Sequence, residues 1–187
     1  MKLNITVGVS NRHCHLTEEV YKKLFDEEIN VKSYLNQPGE FASDKVVTIK
    51  TEKSEIKNVR ILGPFRKYNQ VEISAADAYT LGINPPVRKS GNLENSETIT
   101  LINGEKEITL ENACIIANRH IHMSKDKASE LGVVEDQVVK VHVDNDKSGV
   151  MNAYVKITDN GYFEMHIDRD DANAFMLTNG SVVTLEI

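Results

Sequence analysis

A short motif rich in histidine occurs twice in this chain, at residues 10–17 and at residues 117–124. Both copies read small residue, Asn, Arg, His, any residue, His, apolar residue and hydroxyl residue. In an extended segment the two histidines of each copy point to the same face, because side chains alternate along a strand. Two neutral imidazoles that lie side by side in this way are suited to chelating one metal ion.

A fainter second repeat supplies a further metal ligand to each copy. Residues 71–78 align with residues 165–172 as strand, capping residue and short helix, and this alignment places Glu72 and His166 in the same slot. The sequence therefore predicts an internal duplication with one three-ligand site in each half. Three protein ligands with a fourth position open are typical of catalytic rather than structural zinc. The first predicted site is His13, His15 and Glu72, and the second is His120, His122 and His166.

Chance is the competing explanation for histidines on a strand. A single His-x-His would favour chance or packing, whereas two copies in the same frame, which with His166 account for five of the six histidines, favour metal binding. The sixth, His142, stands alone in a strand pattern, and we interpret it as structural. Cys14 faces the side opposite its flanking histidines in an extended segment, so we interpret it as a packed thiol.

Cations near the predicted sites are candidates for binding an anion. Arg66 follows a Gly-Pro turn six residues before Glu72, and a guanidinium is suited to bidentate capture of phosphate or carboxylate. Alone this signal is weak, because most arginines are solvated or paired. The loop at 84–91 carries two cations and Ser90, and an ordinary surface turn explains it equally well.

The elements that must position these residues are mostly short strands. Apolar residues alternate with polar ones from Leu3 to Val9, which predicts a half-buried first strand. Many short strands at this spacing favour a barrel or a sandwich over a parallel sheet. Turn sequences predict hairpins over residues 98–110, 140–156 and 156–165.

Four short helices are predicted between the strands. Three of them follow a Thr or Ser that can cap a helix, and two stop at a glycine. Residues 26–46 fit neither pattern and are predicted to form a small insertion with a turn at 36–39. The predicted helices are 18–25, 75–81, 125–131 and 170–177.

Composition limits the class of protein. The 187 residues, of which 40% are hydrophobic and 27% charged, are typical of a globular protein with one or two domains. The net charge of −6 argues against general nucleic-acid binding, and no apolar run approaches the about 18 to 20 residues that cross a bilayer. Two cysteines are too few for a disulfide scaffold, and the N-terminus reads as a strand, so we predict a cytoplasmic protein.

Taken together, these segments resemble a known family. The two Asn-Arg-His-x-His segments, the turn at 62–66 and the segments 70–74 and 165–168 are similar to those of the PduL-type phosphate acyltransferases, in order over nearly the whole chain. That family transfers a short acyl group, propanoyl or acetyl, between coenzyme A and phosphate. The resemblance implies a mainly β fold of two closed β-barrels with short capping helices and a two-zinc site between them.

The resemblance also implies how the chain is divided between the barrels. Residues 1–11 would join residues 118–187 in one barrel, because the N-terminal strand is expected to pair with the C-terminal third. Residues 12–117 would build the other barrel, with the insertion near 26–46 attached to it.

Individual residues receive roles from the resemblance. It implies one zinc on His13, His15 and Glu72, with a position for the coenzyme A sulfur, and a second zinc on His120, His122 and His166, with water completing its shell. Arg66 matches the family's phosphate-binding arginine, and Ser90 is carried over as a phosphate neighbour. The implied contacts with coenzyme A are Thr6, Val7, Gly8, Leu62 and Asn173.

The implied reaction needs no covalent acyl-enzyme. The two zinc ions and Arg66 would position phosphate for direct attack on the thioester of acyl-CoA. No serine or cysteine stands beside a base in the motifs, which favours a ternary complex. Two other functions stay open at this stage: a dizinc hydrolase of esters or thioesters, and a non-catalytic β-barrel module that binds metal.

Partners and location follow from the same resemblance. Acyl-CoA and inorganic phosphate are the implied partners, in a role such as propanediol degradation, with no nucleic acid and no membrane; self-association into a homo-oligomer stays open. Family members housed in bacterial microcompartments often carry an extra N-terminal amphipathic segment. Because the first strand here starts at Leu3, we expect the protein in the cytoplasm rather than in a microcompartment.

Overall fold

The computed structural model describes residues 1–159 and 161–187, and within them the chain forms fourteen strands and four short helices. Among these residues, no helix combines the length and the apolar character needed to span a bilayer. In chain order the elements are β1 (Lys2–Val9), β2 (His13–His15), α1 (Glu18–Leu24), β3 (Val31–Tyr34), β4 (Phe41–Lys50), β5 (Glu55–Gly63), β6 (Gln70–Glu72), α2 (Ala75–Leu81), β7 (Val87–Arg88), β8 (Glu97–Asn103), β9 (Lys106–Ala117), β10 (His120–Met123), α3 (Lys125–Leu131), β11 (Val138–Val143), β12 (Gly149–Ile157), β13 (Glu164–Ile167), α4 (Arg169–Ala174) and β14 (Val182–Glu186).

The chain divides into two compact units. One, which we call the terminal unit, comprises Met1–Asn11 and Asn118–Ile187. The other, the central unit, comprises Arg12–Ala117. Each unit has its own hydrophobic core.

Six strands of the terminal unit form a closed barrel in the order β1-β13-β10-β12-β11-β14. The barrel closes where β1 pairs antiparallel with β14, while the other edge of β1 lies parallel to β13. The alternation predicted for β1 is confirmed, because Ile5 and Val7 are buried in the core and their neighbours Asn4 and Thr6 are exposed. Burying such a side chain fully contributes about 1.5–3 kcal/mol.

The central unit also contains a closed ring of six strands. Successive pairs join β4 to β5, β5 to β2, β2 to β6, β6 to β9, β9 to β8, and β8 back to β4. β3 and β7 lie outside this ring, on β4 and β9 respectively. The predicted insertion thus becomes a hairpin of β3 with the start of β4, joined by the predicted turn at 36–39.

The predicted duplication is confirmed by strand topology. β2 lies between a parallel neighbour, β5, and an antiparallel one, β6. β10 lies in the same way between parallel β12 and antiparallel β13. The outer edges of β6 and β13 also match, since β6 runs parallel to β9 and β13 runs parallel to β1. The fold is therefore mainly β and duplicated, with two closed barrels.

Short capped helices connect the strands as predicted. Ser74 and Ser124 each accept a hydrogen bond from a backbone N–H in the first turn of α2 and α3. Both helices end at a glycine in the left-handed region, Gly82 at φ 69° and Gly132 at φ 68°, a conformation that favours glycine. The predicted end of the fourth helix is wrong: α4 stops at Ala174, and the chain turns at Met176, whose φ is 50°.

One predicted hairpin is wrong. β12 and β13 do not pair with each other, because β10 lies between them. The turn proposed there includes Asn160, which lies outside the described residues. The hairpins over residues 98–110 and 140–156 are confirmed as β8 with β9 and β11 with β12.

Candidate metal centres

The first predicted ligand set lies on two neighbouring strands of the central unit. β2 runs antiparallel to β6, so that His13 lies directly opposite Glu72 and His15 lies opposite Gln70. Residues opposite each other in an antiparallel pair share a face, with Cβ atoms about 4.5–5.5 Å apart. The four side chains therefore form a square on one face of this strand pair.

An equivalent square lies in the terminal unit. β10 runs antiparallel to β13, and His120 lies opposite His166 while His122 lies opposite Glu164. Superposing the two registers matches His166 with Glu72, as the sequence repeat predicts, and it also matches Glu164 with Gln70.

The first ligand set is convergent, with both histidines buried and Glu72 half-buried. The ligand atoms of His13, His15 and Glu72 all lie within 4.8 Å of one another, and Nε2 of His13 is 3.5 Å from Oε2 of Glu72. Gln70 fixes the carboxylate: its amide nitrogen donates to Oε1 of Glu72 at 2.5 Å, and its amide oxygen accepts from the backbone N–H of Gly91 at 2.8 Å. The carboxylate is thus held in place beside the imidazoles.

The second ligand set consists of three imidazoles. The ligand atoms of His120, His122 and His166 lie within 4.8 Å of one another, and the Nε2 atoms of His120 and His122 are 3.1 Å apart. Nδ1 of His120 donates to the carbonyl oxygen of Asn118 at 2.8 Å. Because a carbonyl can only accept, the proton lies on Nδ1 and Nε2 keeps its lone pair for a metal.

His122 is held in the neutral form that binds metal. Burial lowers the pKa of His122 to about 2, and electrostatic interactions with His120, His166 and Lys156 act in the same direction. The residue is 1% exposed, and Nδ1 of its ring has no hydrogen-bond partner among the residues that the structure describes. At neutral pH this imidazole is therefore uncharged, and it is available as a metal ligand.

Both ligand sets fit zinc. Two histidines with a carboxylate, and three histidines, are donor sets found in catalytic zinc sites, and both leave a fourth position open. Donors on one tetrahedral zinc are about 3.3 Å apart, since Zn–N bonds are about 2.0–2.1 Å. The observed pairs at 3.1 Å and 3.5 Å lie on either side of that separation. The structure thus brings each predicted triad together.

The arginine of each motif has a role that the sequence did not indicate. Arg12 pairs with Asp77 through two contacts, at 3.0 and 3.1 Å. Arg119 pairs with Asp171 at 2.7 and 2.9 Å. Each aspartate is the third residue of the helix that follows the third-ligand strand. The arginines therefore tie the two ligand-bearing segments of each site together.

Arg66 lies next to the first ligand set. Its backbone N–H donates to the carbonyl oxygen of Leu16, the residue after His15, at 2.9 Å. Its guanidinium pairs with Glu40, which also accepts a hydrogen bond from Gln37 at 3.1 Å. Nε of Arg66 is buried, and no described residue is hydrogen-bonded to it. The guanidinium is thus held in place with donor capacity to spare.

Ser90 also reaches this site. Its Oγ accepts a hydrogen bond at 2.8 Å from the amide nitrogen of Gln70, which also donates to Glu72. Sequence reasoning missed Gln70 and Glu40 as members of the site. Gln70 could have been found from its place two residues before Glu72, whereas Glu40 lies in the insertion and gave no signal.

The predicted coenzyme A contacts on β1 have different environments. Thr6 is exposed, whereas the side chain of Val7 is fully buried in the barrel core. Gly8 is half-buried and lies opposite His166. A ligand at this strand would therefore meet Thr6 and the backbone at Gly8 rather than the side chain of Val7.

The other two predicted contacts lie on separate elements. Leu62 is half-buried on β5, opposite His15 of the first ligand set. Asn173 is exposed on α4, in the terminal unit. All five coenzyme A assignments stay predictions.

The cysteines are unsuited to act as nucleophiles. Burial raises the pKa of Cys14, and the nearby Cys114 adds to this shift. Burial also raises the pKa of Cys114 to about 12. Since the thiolate is the reactive form, both side chains act as packed apolar groups at neutral pH. His142, interpreted as structural, pairs with Glu186.

Gly8 provides the space that the second ligand set occupies. A Cβ atom at this position would lie 2.9 Å from both Oε2 of Glu164 and Cδ2 of His166. We therefore expect Gly8→Ala to displace the imidazole and, if each ligand set holds one zinc ion, to lower the zinc bound per chain from about two to about one. Zinc analysis after dialysis measures this, with exposed Asn4→Ala on the same strand as the control. Two zinc ions retained at unchanged affinity would contradict it.

The fold and the two donor sets define a class of protein: a two-barrel β protein with a candidate metal site on each barrel. A family model described as phosphate propanoyltransferase matches residues 6–178. The chain therefore belongs to the phosphate propanoyltransferase family, a family of acyltransferase enzymes.

Individual relatives agree over nearly their full lengths. A phosphate propanoyltransferase of Thermotoga maritima is 43% identical over 183 residues, which cover 96% of this chain and 87% of the relative. One of Lachnoclostridium phytofermentans is 44% identical over 185 residues, covering 97% and 86%. One of Salmonella typhimurium is 44% identical over 173 residues, covering 91% and 82%.

Proposed function

We propose that this protein is a zinc-dependent phosphate acyltransferase that interconverts a short-chain acyl-CoA and phosphate with an acyl phosphate and coenzyme A. The observation that carries the proposal is the pair of convergent ligand sets, His13/His15/Glu72 and His120/His122/His166. The names of the relatives support the reaction class, with a propanoyl group as the acyl group named.

In this reaction a phosphate oxygen forms a bond to the acyl carbon, and the bond from that carbon to sulfur breaks. The two ligand sets would hold zinc, which would supply Lewis acidity to the thioester carbonyl and favour the thiolate as leaving group. An imidazole that binds a metal is an uncharged ligand, while the carboxylate of Glu72 supplies one negative charge to the first site. Each site therefore keeps net positive charge when loaded, which suits an anionic substrate.

Arg66 is the residue we assign to phosphate. Its backbone is anchored beside the first ligand set at Leu16, and its guanidinium is oriented by Glu40. A guanidinium offers five donors in a rigid fork that matches a phosphate, and the buried Nε gives it donor capacity beyond the contact with Glu40. Holding phosphate in the attacking position accounts for much of the expected acceleration. Ser90, hydrogen-bonded to Gln70, is the second phosphate contact we assign.

A direct transfer is favoured over a covalent intermediate. The thiols of Cys14 and Cys114 are buried with raised pKa values. A burst of acylated protein with acyl-CoA alone would contradict the direct route.

Coenzyme A is assigned to Thr6, Val7, Gly8, Leu62 and Asn173 by the family resemblance.

Thiol release from acetyl-, propanoyl- and butanoyl-CoA, each with and without phosphate, tests the proposal. We expect release only with phosphate, and about two zinc ions per chain in the same sample. Neighbouring chain lengths should differ modestly, since one methylene is worth about 1–3 kcal/mol in an apolar pocket. Release without phosphate would instead identify a hydrolase. The absence of both thiol release and bound zinc would identify a non-catalytic module.

A further inference from the structure

The two metal squares differ in where their carboxylate lies. In the central unit the four positions hold His13, His15, Glu72 and Gln70, so the acid lies at the third-ligand position. In the terminal unit that position is taken by an imidazole, and the acid lies at the position equivalent to Gln70, as Glu164. Each square therefore contains one carboxylate, although on different corners.

Glu164 is placed to act on the second ligand set. Its Oε2 is 3.0 Å from Nε2 of His166, and the side chain is 9% exposed. Tyr162 contacts the same His166 nitrogen through its hydroxyl at 2.6 Å, and its ring stacks on His122 at 5.1 Å between centroids. A buried carboxylate is costly unless positive charge or hydrogen bonds compensate it. A dication at the adjacent ligand set would supply that charge.

We propose that Glu164 is a positioning residue of the second metal site: it orients His166 and supplies the negative charge that strengthens metal binding there. This inference rests on the metal sites of the proposed function. Glu164 is not one of the three residues whose ligand atoms converge, which are His120, His122 and His166. We therefore place it beside the ion and assign the ligands to the three histidines. A carboxylate that accepts from one ring N–H of a histidine orients the ring and makes the other nitrogen a stronger metal ligand. With Nε2 of His166 donating to Glu164, Nδ1 of His166 is left as the nitrogen for the metal.

Gln70 provides the internal comparison. It occupies the equivalent position, is fully buried and donates to Glu72, the ligand on the neighbouring corner. A neutral amide suffices there because Glu72 already carries the charge. In the terminal unit the ligand on that corner is the imidazole of His166, and the carboxylate is supplied by Glu164 instead. The carboxylate thus lies on a different corner of each square, while each square keeps one carboxylate.

Zinc affinity measured on the full chain tests this inference. The double substitution His13→Ala and His15→Ala first removes the central site, which leaves one site per chain. In that background, Glu164→Gln keeps the shape and an oxygen acceptor but removes the charge. We expect zinc binding, measured against a chromophoric chelator after stripping, to weaken by about 10- to 100-fold. The melting temperature of the metal-free chain should stay about the same, because glutamine keeps the shape of the side chain and an oxygen that accepts a hydrogen bond from His166.

A rescue variant sharpens the test. Adding His166→Glu to Glu164→Gln gives the terminal unit the same four residues as the central one, and zinc affinity should recover to within about tenfold of the background chain. Unchanged affinity in Glu164→Gln, or no recovery in the rescue variant, would overturn the inference. A structural role alone would lower the metal-free melting temperature and leave affinity unchanged, which would overturn it too. A background chain that takes up no zinc would refute the metal sites themselves, a separate and recognisable failure.

Discussion

Replacing His13 or His120 by alanine is expected to lower kcat for phosphate-dependent thiol release by about a thousandfold or more. This loss corresponds to about 4 kcal/mol of transition-state stabilisation, which lies within the range of metal-assisted catalysis. Each histidine is one of three convergent donors, and two remaining donors hold zinc poorly. The zinc content should fall from about two to about one per chain in either variant. Chelation of the unsubstituted protein should remove both ions and the activity together.

His142→Ala is the matched control for these variants. It removes the sixth histidine, which pairs with Glu186 outside both ligand sets. Zinc content and kcat should both stay at the level of the unsubstituted chain. Full activity in His13→Ala or His120→Ala, with zinc content reduced, would show that the affected ion takes no part in the reaction.

The two ligand sets were predictable because they depend on local pattern. His-x-His spacing fixes two side chains on one face of a strand, and this requires no knowledge of the partner strand. The third ligand followed from the repeat, since Glu72 and His166 occupy equivalent positions. In the structure Glu72 lies opposite His13 and His166 lies opposite His120, which brings each triad together.

Strand partners were predicted less well. Alternation specifies which face of a strand is buried but not which strand lies beside it. Ile157 and Glu164 end and begin consecutive strands, yet β10 lies between them, because it pairs with both. The parallel pair of β2 with β5 was likewise invisible, since residues far apart in sequence leave no local turn signal.

Contacts between residues that are far apart in the sequence were not predicted, for the same reason. Glu40 reaches Arg66 from the hairpin of β3 and β4, across 26 residues of sequence. Glu164 was passed over because the repeat matches it with Gln70, a neutral residue. A residue pattern indicates which side chains can bind a ligand, whereas their supporting partners depend on how the chain returns in space.

Replacing Arg66 by alanine is expected to lower kcat/KM for phosphate by about 100- to 1,000-fold, while KM for acyl-CoA changes little. The loss corresponds to about 3–4 kcal/mol, the range for a preorganised cationic donor at a reacting anion. Arg66→Lys keeps the charge but loses the planar fork, so we expect an intermediate loss of about tenfold. Initial rates of thiol release, with phosphate varied at saturating acyl-CoA, measure the effect.

Lys67→Ala separates this role from general electrostatics. The substitution removes the same formal charge from the adjacent position, but Lys67 is exposed and follows the anchored backbone of Arg66. If Arg66 binds phosphate directly, Lys67→Ala should change kcat/KM for phosphate less than about threefold, and added salt should reduce that small effect further. Equal losses in the two alanine variants would mean that the positive charge attracts phosphate without contacting it. An Arg66→Ala enzyme with unchanged phosphate kinetics would remove phosphate binding from this side chain altogether.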